Sequence, residues 1–477
     1  MLRVLLSVFL LASALFAQDR QVWVAIGSQP MLDAVAPLAK HRQSQGLETG
    51  LLTPDRLDEV RDMKPPPSYL LLLGDPEDGM TTHKVEFYRW RAVQPETYAS
   101  DAPFADCPVG RMPARNPAEL ATMVAKTIAY EKRPRSIEDL TIAAWAGAPG
   151  YGGMVDAFAT GLLVTTVRDN APGWMSPWMI SGDSKQPLCG WPPDQPLRFL
   201  ERMKAGTLLN AAVAHASADA VFSMRHGDKG IWLHAGHVAR MSEGEPAAPL
   251  VLLACNCAEF DRDKPTIADR LLLAPGGPVA VIGATTESHP LPNYFSGLCL
   301  LRALDGKYGR QARLGDLWQA TQRQAALEQN PMIEAMLKEV EGKLELQIDV
   351  AKLRADQQKL YALLGDPALR LPLPEAWQAN LEKIDQGWNW SCTAPQGATA
   401  LHVGFRPAKR PPVKPAQADD TDGRRKRFEE ANAAEGFAEI ARLAADQPWS
   451  GTHAQPGTLR LVAIGPSTTH VALLTLR

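Results

Sequence analysis

The sequence predicts an α/β fold: a parallel sheet flanked by helices, in two subdomains, followed by a small β-sandwich. Three observations carry this. First, several apolar runs end abruptly in a polar or small residue: SYLLLLGD (68–75), LTIAAWAG (140–147), LLNAAVAH (208–215), PLVLLAC (249–255) and PVAVIGA (278–284). They do not alternate with polar residues, which is the pattern of strands covered on both faces. Second, helical stretches separate them, and strands alternating with helices imply a parallel sheet. Third, beyond about residue 375 the runs become short and β-like: GWNWSCT, ALHVGFRP, TLRLVAIG and HVALLTL.

In chain order, MLRVLLSVFLLASALFAQDR comes first. Arg3, the apolar run Val4 to Phe16 and small residues up to Ala17 predict a signal peptide over residues 1–17. The chain is then expected to be exported to the periplasm, the cell surface or the medium. QVWVAIGS (21–28) reads as a first strand, 30–46 as a helix and 49–53 as an extended segment. PAELATMVAKTIAYEK (117–132) reads as an amphipathic helix, with Asn116 as N-cap and Glu119 placed for a capping box. The first subdomain is expected over 18–139 and the second over 140–374. Within the second, 152–169 and most of 314–361 read as helix, and YALLGDPALRLPLP (361–374) closes it. The sandwich is expected over 375–477. Trp388 and Trp390 alternate with Asn389, so one face of their strand should be core. An insertion at about 406–448 is rich in Pro and charge and reads as disordered, then helical from 427 to 445.

Hydrophobic residues make up 45% and charged residues 22% of the 477 positions, as in ordinary globular proteins. The net charge of −3 argues against bulk nucleic-acid binding. The basic cluster Arg424, Arg425, Lys426 and Arg427 has Asp419, Asp420 and Asp422 as neighbours and reads as a solvated loop. The six cysteines (107, 189, 255, 257, 299 and 392) are scattered and form neither a disulfide framework nor a zinc knuckle. Asp75 and Asp78 are a candidate calcium pair, but no Asp-x-Asp-x-Asp loop surrounds them, and no cofactor or metal is expected.

Ligands of parallel sheets gather outside the carboxyl ends of the strands. His215 and Cys255 both fall at such ends. A cysteine nucleophile needs a base, donors for the developing oxyanion and an open strand end. His215 would be the base, and the backbone N–H groups around Cys255 and Ala216 the oxyanion donors. His226, followed by Gly227 in SMRHGDKG, is a rival base, read as lying in a loop. His234 and His237 stand three apart and read as a packing pair. AGAPGYGG (146–153) reads as a tight turn at a sheet edge, since it lacks the lysine of a phosphate loop.

Several blocks, in order, carry a resemblance: TYASDAPFAD then VGRMPARNPAEL, LLNAAVAHAS, VLLACNCAEF, PVAVIGATTESHPLP and YALLGDPALRLPLP. Over roughly residues 65–374 the chain resembles the gingipain-type cysteine peptidases, peptidase family C25, which are relatives of the caspases. The resemblance implies a caspase-like catalytic sheet, an immunoglobulin-like C-terminal sandwich and hydrolysis of protein or peptide substrates. It places Cys255 as nucleophile and His215 as base, offers Asp101 as an assisting carboxylate, and puts Glu287, Ser288 and His289 at the substrate pocket. Cys257 would be a small packed residue. Two positions depart from the family: Ala216 and Ala258 stand where glycine is usual. They raise a second reading, an impaired module that serves in binding or surface assembly.

Overall fold

The computed structural model describes residues 21–56, 59–74, 107–150, 152–260, 262, 264–342, 349–410, 412–417 and 420–477. The expected signal peptide, the Asp75–Asp78 pair and Asp101 lie outside the described residues.

Strand β1 (Val22–Ile26), helix α1 (Gln29–Ser44), β2 (Glu48–Leu52), β3 (Tyr69–Leu73), β4 (Val109–Met112) and α2 (Pro117–Lys132) come first. Next are β5 (Thr141–Ala146), α3 (Gly153–Asn170), β6 (Ser176–Ser181), α4 (Gln195–Ala205) and β7 (Leu209–Val213). A three-stranded excursion follows: β8 (Ala216–Ser217), β9 (Ala220–His226) and β10 (Lys229–His234). The chain returns as β11 (Leu250–Leu253), α5 (Ile267–Leu273), β12 (Val281–Ala284) and α6 (Pro290–Leu304). Helices α7 (Leu314–Leu327), α8 (Pro331–Gly342) and α9 (Val350–Leu360) lead to β13 (Tyr361–Leu364).

These strands form one ten-stranded sheet in the order β2-β1-β3-β4-β13-β12-β11-β7-β5-β6. Neighbours pair in parallel except β12 and β13, which are antiparallel. The closing run of the α/β region therefore reverses the sheet. Two parallel halves run in opposite directions and meet at that pair. The strands are apolar throughout because both faces are covered: Leu250, Leu252 and Ala254 pack into one core, and Val251 and Leu253 into another on the opposite face. At α2, Asn116 Oδ1 accepts from the Ala118 and Glu119 amides at 3.1 and 2.9 Å. Glu119 reaches one residue further back than a capping box requires, to the Arg115 amide at 2.9 Å.

The C-terminal region comprises β14 (Glu375–Ala376), β15 (Asn380–Ile384), β16 (Gly387–Ser391), β17 (Ala400–Pro407), α10 (Thr421–Glu435), β18 (Ala438–Ala444), β19 (Ser450–His453), β20 (Gly457–Ile464) and β21 (Thr469–Leu476). It makes a five-stranded sheet, β14-β21-β20-β17-β18, and a three-stranded sheet, β15-β16-β19. Trp388 and Trp390 of the small sheet share a core with Leu401, Val403 and Leu461 of the large one.

The insertion differs from its sequence expectation. The helix spans Thr421–Glu435, and 438–444, expected to be helical, is strand β18, paired along β17. The basic cluster lies on α10 and is not a solvated loop. Arg424 is buried, with Nη1 donating to Gly190 O at 3.1 Å, and Arg425 pairs with Asp194 at 2.7 Å. Tertiary contacts overrode composition here because α10 covers the edge strand β6. The Asn432 carboxamide accepts from the Met179 amide at 2.6 Å and donates to its carbonyl at 3.1 Å, as a further strand would. No helix among the described residues is long and apolar enough to cross a membrane.

Candidate active site

The site is built at the carboxyl ends of β5, β7 and β11. Register sets these ends level: Ala146 pairs with Val213, and Val213 pairs with Leu253. His215 and Cys255 each lie two residues past those partners, and with a side-chain period of two they follow Val213 and Leu253 onto the same face. All four line one cavity of about 180 Å³.

Directly after Cys255 the chain turns sharply. Asn256 has φ +53°, in the left-handed region that Asn tolerates better than most residues. The Asn256 amide donates to Thr286 O and the Ala258 amide to Ala284 O, both at 2.9 Å. These amides are therefore engaged within the fold. The turn lies so close to β12 that a Cβ on Gly283 would come within 2.9 Å of both Ala258 Cβ and Cys257 Sγ. The missing side chain at 283 makes room for the methyl of Ala258, which is fully buried. Ala216 sits in β8, its backbone extended and its side chain against the same core. Both alanines that depart from the family pattern thus direct their methyls inward.

The two neighbouring thiols have different environments. Cys255 is half-buried; its Sγ–H donates to Ser288 O at 3.2 Å, and Sγ accepts from the Ser288 amide at 3.4 Å. Cys257 is fully buried, and burial pushes its thiol up to about 12. Burial likewise raises Cys189 to about 12, and Cys299 and Cys392 to about 11.

The His215 ring is exposed, and its Nε2 is hydrogen-bonded to Pro149 O. A carbonyl only accepts, so Nε2 is the donor in this bond, and in a neutral ring Nδ1 would be the nitrogen open to a proton. Pro149 lies in the glycine-rich turn after β5. That turn is not at a sheet edge, because β5 has β7 on one side and β6 on the other. It is held by Gly147 N to Val213 O at 2.9 Å and Ala148 N to Ser223 O at 2.7 Å. A Cβ on Gly147 would come within 2.8 Å of Ala214 Cβ, so glycine permits the close approach. Sequence reading missed this carbonyl; the available signal was the turn's place after a strand neighbouring the one that leads to His215.

The loop after β12 is braced from behind. Tyr361 OH donates to Asn293 Oδ1 at 2.7 Å, and Asn293 Nδ2 donates to Ser288 Oγ at 2.9 Å. Ser288 lines the cavity, whereas Glu287 is exposed and His289 caps α6, its Nδ1 accepting from the Leu291 amide at 3.2 Å. Neither Glu287 nor His289 lines the cavity.

His226 does not lie in a loop. It ends strand β9, stacked edge-on against Trp191 with centroids 4.9 Å apart, and it does not line the cavity. His234 caps a short helical turn through the Gly236 amide and packs against His237 at 4.1 Å between centroids. Among the described residues no group of three or more His, Cys, Asp or Glu side chains is arranged to hold a metal ion.

The fold is similar to that of the Arg-specific cysteine proteinase gingipain R (RgpB), with a TM-score of 0.54 at 13% identity, covering 96% of this chain and 98% of that one. It is likewise similar to a complex of Porphyromonas gingivalis RgpB pro- and mature domains, with a TM-score of 0.53 at 12% identity and coverage of 95% and 99%. At such identities the likeness is one of fold. A search of curated proteins finds no significant match. The sequence model of peptidase family C25 matches residues 17–372, and with a mixed α/β fold built on a large, mostly parallel sheet, the chain belongs to that family.

Proposed function

We propose that this chain is an exported cysteine endopeptidase acting through Cys255 and His215. The observation that carries the reading is a single cavity rimmed by both side chains, with the imidazole tied through Nε2 to Pro149 O. His215 Nδ1 takes the proton of the Cys255 thiol, and Sγ attacks the carbonyl carbon of the scissile peptide bond. The amides of Cys255 and Ala216 receive the oxyanion. The intermediate collapses to a thioester as His215 protonates the departing amine. Water, deprotonated by His215, then hydrolyses the thioester and restores the thiol.

Asp101 is the proposed assisting carboxylate. This role rests on the resemblance of the Ser-Asp block that carries it. Glu287, Ser288 and His289 form the loop along which substrate would pass. Export rests on Arg3, the Val4 to Phe16 run and Ala17. We read the chain as a signal peptide (1–17), α/β regions over 18–139 and 140–374, and an immunoglobulin-like sandwich from 375. The rival reading, an impaired binding or assembly module, drew on Ala216 and Ala258; their inward methyls weaken it.

The test is the alkylation rate of each cysteine in the native protein by iodoacetamide, read by mass spectrometry. Cys255 should label far faster than Cys257 or Cys299, whose thiols burial holds at about 12 and 11. Equal rates would sink the peptidase reading.

A further inference from the structure

The cavity beside Cys255 has a chemistry that sequence comparison does not supply. One wall is a helical stripe of α3, with Ala159, Leu162 and Leu163 facing in. The opposite wall is Leu291 of α6 with Ile333 and Met336 of α8. Val213 and Leu253 supply the part nearest the sheet. No Asp, Glu, Lys or Arg among the described residues lines it. Asp156, in the first turn of α3, is outside the lining, and Glu334 of α8 is also outside and pairs with Arg354. A smaller void of about 50 Å³ adjoins it, sharing Leu163, Val213, Leu253 and Tyr294 as lining. At about 180 Å³ the main cavity is below the ~300 Å³ at which small-molecule sites usually begin. It suits one side chain.

We propose that this cavity receives the side chain of the residue whose carbonyl Cys255 attacks, so that the enzyme cleaves after large apolar residues such as Leu, Met or Phe and not after charged ones. The inference rests on the peptidase reading above. Attack by Sγ brings the carbonyl carbon to the cavity rim, and the side chain one bond away enters the nearest concavity. A lysine, arginine or aspartate there would lose its hydration and, among the described residues, meet no Asp, Glu, Lys or Arg side chain of opposite charge, whereas an apolar side chain gains from the same burial. A cavity of about 180 Å³ favours a long or broad side chain over a small one.

The experiment uses the full chain and four acyloxymethyl ketones that share one peptide and differ in the terminal residue: Leu, Phe, Lys or Asp. A fifth probe carries Ala. The rate of labelling at Cys255 is read by mass spectrometry, with Cys255→Ala as the blank. Leu and Phe probes should react on the order of 100-fold faster than Lys and Asp probes, and at least about tenfold faster than Ala. Leu162→Trp, which fills the cavity, should slow the Leu and Phe probes until their rates on that variant come within about twofold of the Ala probe. Leu291→Phe serves as the second filling variant if the first does not fold. Fastest labelling by the Lys or Asp probe would overturn the proposal while leaving the nucleophile intact. So would a Leu preference untouched by a folded filling variant. If no probe labels Cys255 and iodoacetamide does not single it out, the peptidase reading fails and takes this inference with it.

Discussion

The two halves of the ten-stranded sheet are made of similar apolar strands and use their polar residues in opposite ways. In the half containing β1, β3, β4 and β13, charges turn inward and engage one another. Arg42 Nε donates to Asp366 Oδ2 at 2.7 Å, and its Nη1 donates to Glu131 Oε1 at 2.9 Å. Trp23 Nε1 adds a bond to Asp366 at 3.0 Å, and the Arg370 amide one to Glu131 at 2.6 Å. Burial alone would raise the Glu131 carboxyl, but His41, Arg42 and the Arg370 amide outweigh it and hold the group at about 2. This network ties α1 and α2 to the segment after β13. In the other half, a thiol and an imidazole stand at strand tips, each held by neighbouring backbone, around a cavity. Groups that satisfy one another hold a fold; groups held by a few backbone atoms at an open edge keep capacity for a substrate.

The comparison breaks most sharply at the proposed nucleophile. Cys255→Ala should lower peptide cleavage by at least about 10³-fold, and His215→Ala by about 10²- to 10⁴-fold, with urea midpoints close to the parent. Cleavage surviving in Cys255→Ala would move the chemistry elsewhere. The inward network should behave in the opposite manner. Asp366→Asn should lose about 3 kcal/mol of stability by urea denaturation, because it weakens a buried ion pair, while kcat/KM of the folded protein for the proposed peptide cleavage stays within about twofold. A catalytic loss without a stability loss would contradict the division.

The same network gives a pH signature. The folded-state pKa of Glu131 is depressed, so its stabilisation is complete above the ordinary carboxylate value of 4.5 and is lost as pH falls toward 2. Acid unfolding followed by circular dichroism should show that loss, and Glu131→Gln should flatten it. The smallest effect is expected where the two roles meet. Tyr361, on the strand that joins the halves, braces Ser288 through Asn293. Tyr361→Phe should lose about 1 kcal/mol of stability and reduce kcat/KM by up to about tenfold. An unchanged kcat/KM would show that the brace serves the fold alone.

Much of this was legible residue by residue. Apolar runs announced the strands, and their last residues marked His215 and Cys255, because a parallel strand ends where its chemistry meets solvent. The alternation of Trp388 and Trp390 announced a core face. The insertion was misread at 438–444, where pairing with β17 outweighed a helical composition. The Pro149 carbonyl was missed because a backbone oxygen has no letter of its own in the sequence.

The sequence by itself determined the covered strands, the residues at their tips and the compositional break near 375, because burial and periodicity act on local runs. Only the tertiary structure decided that the sheet reverses at β12 and β13, that α10 covers the edge of β6, and that Ala258 fits against Gly283. It also decided that α3, α6 and α8 contribute largely apolar walls to a cavity beside the thiol. Each of these is a relation between segments far apart in the chain, set by strand direction, register and close packing, and no single segment encodes its partner.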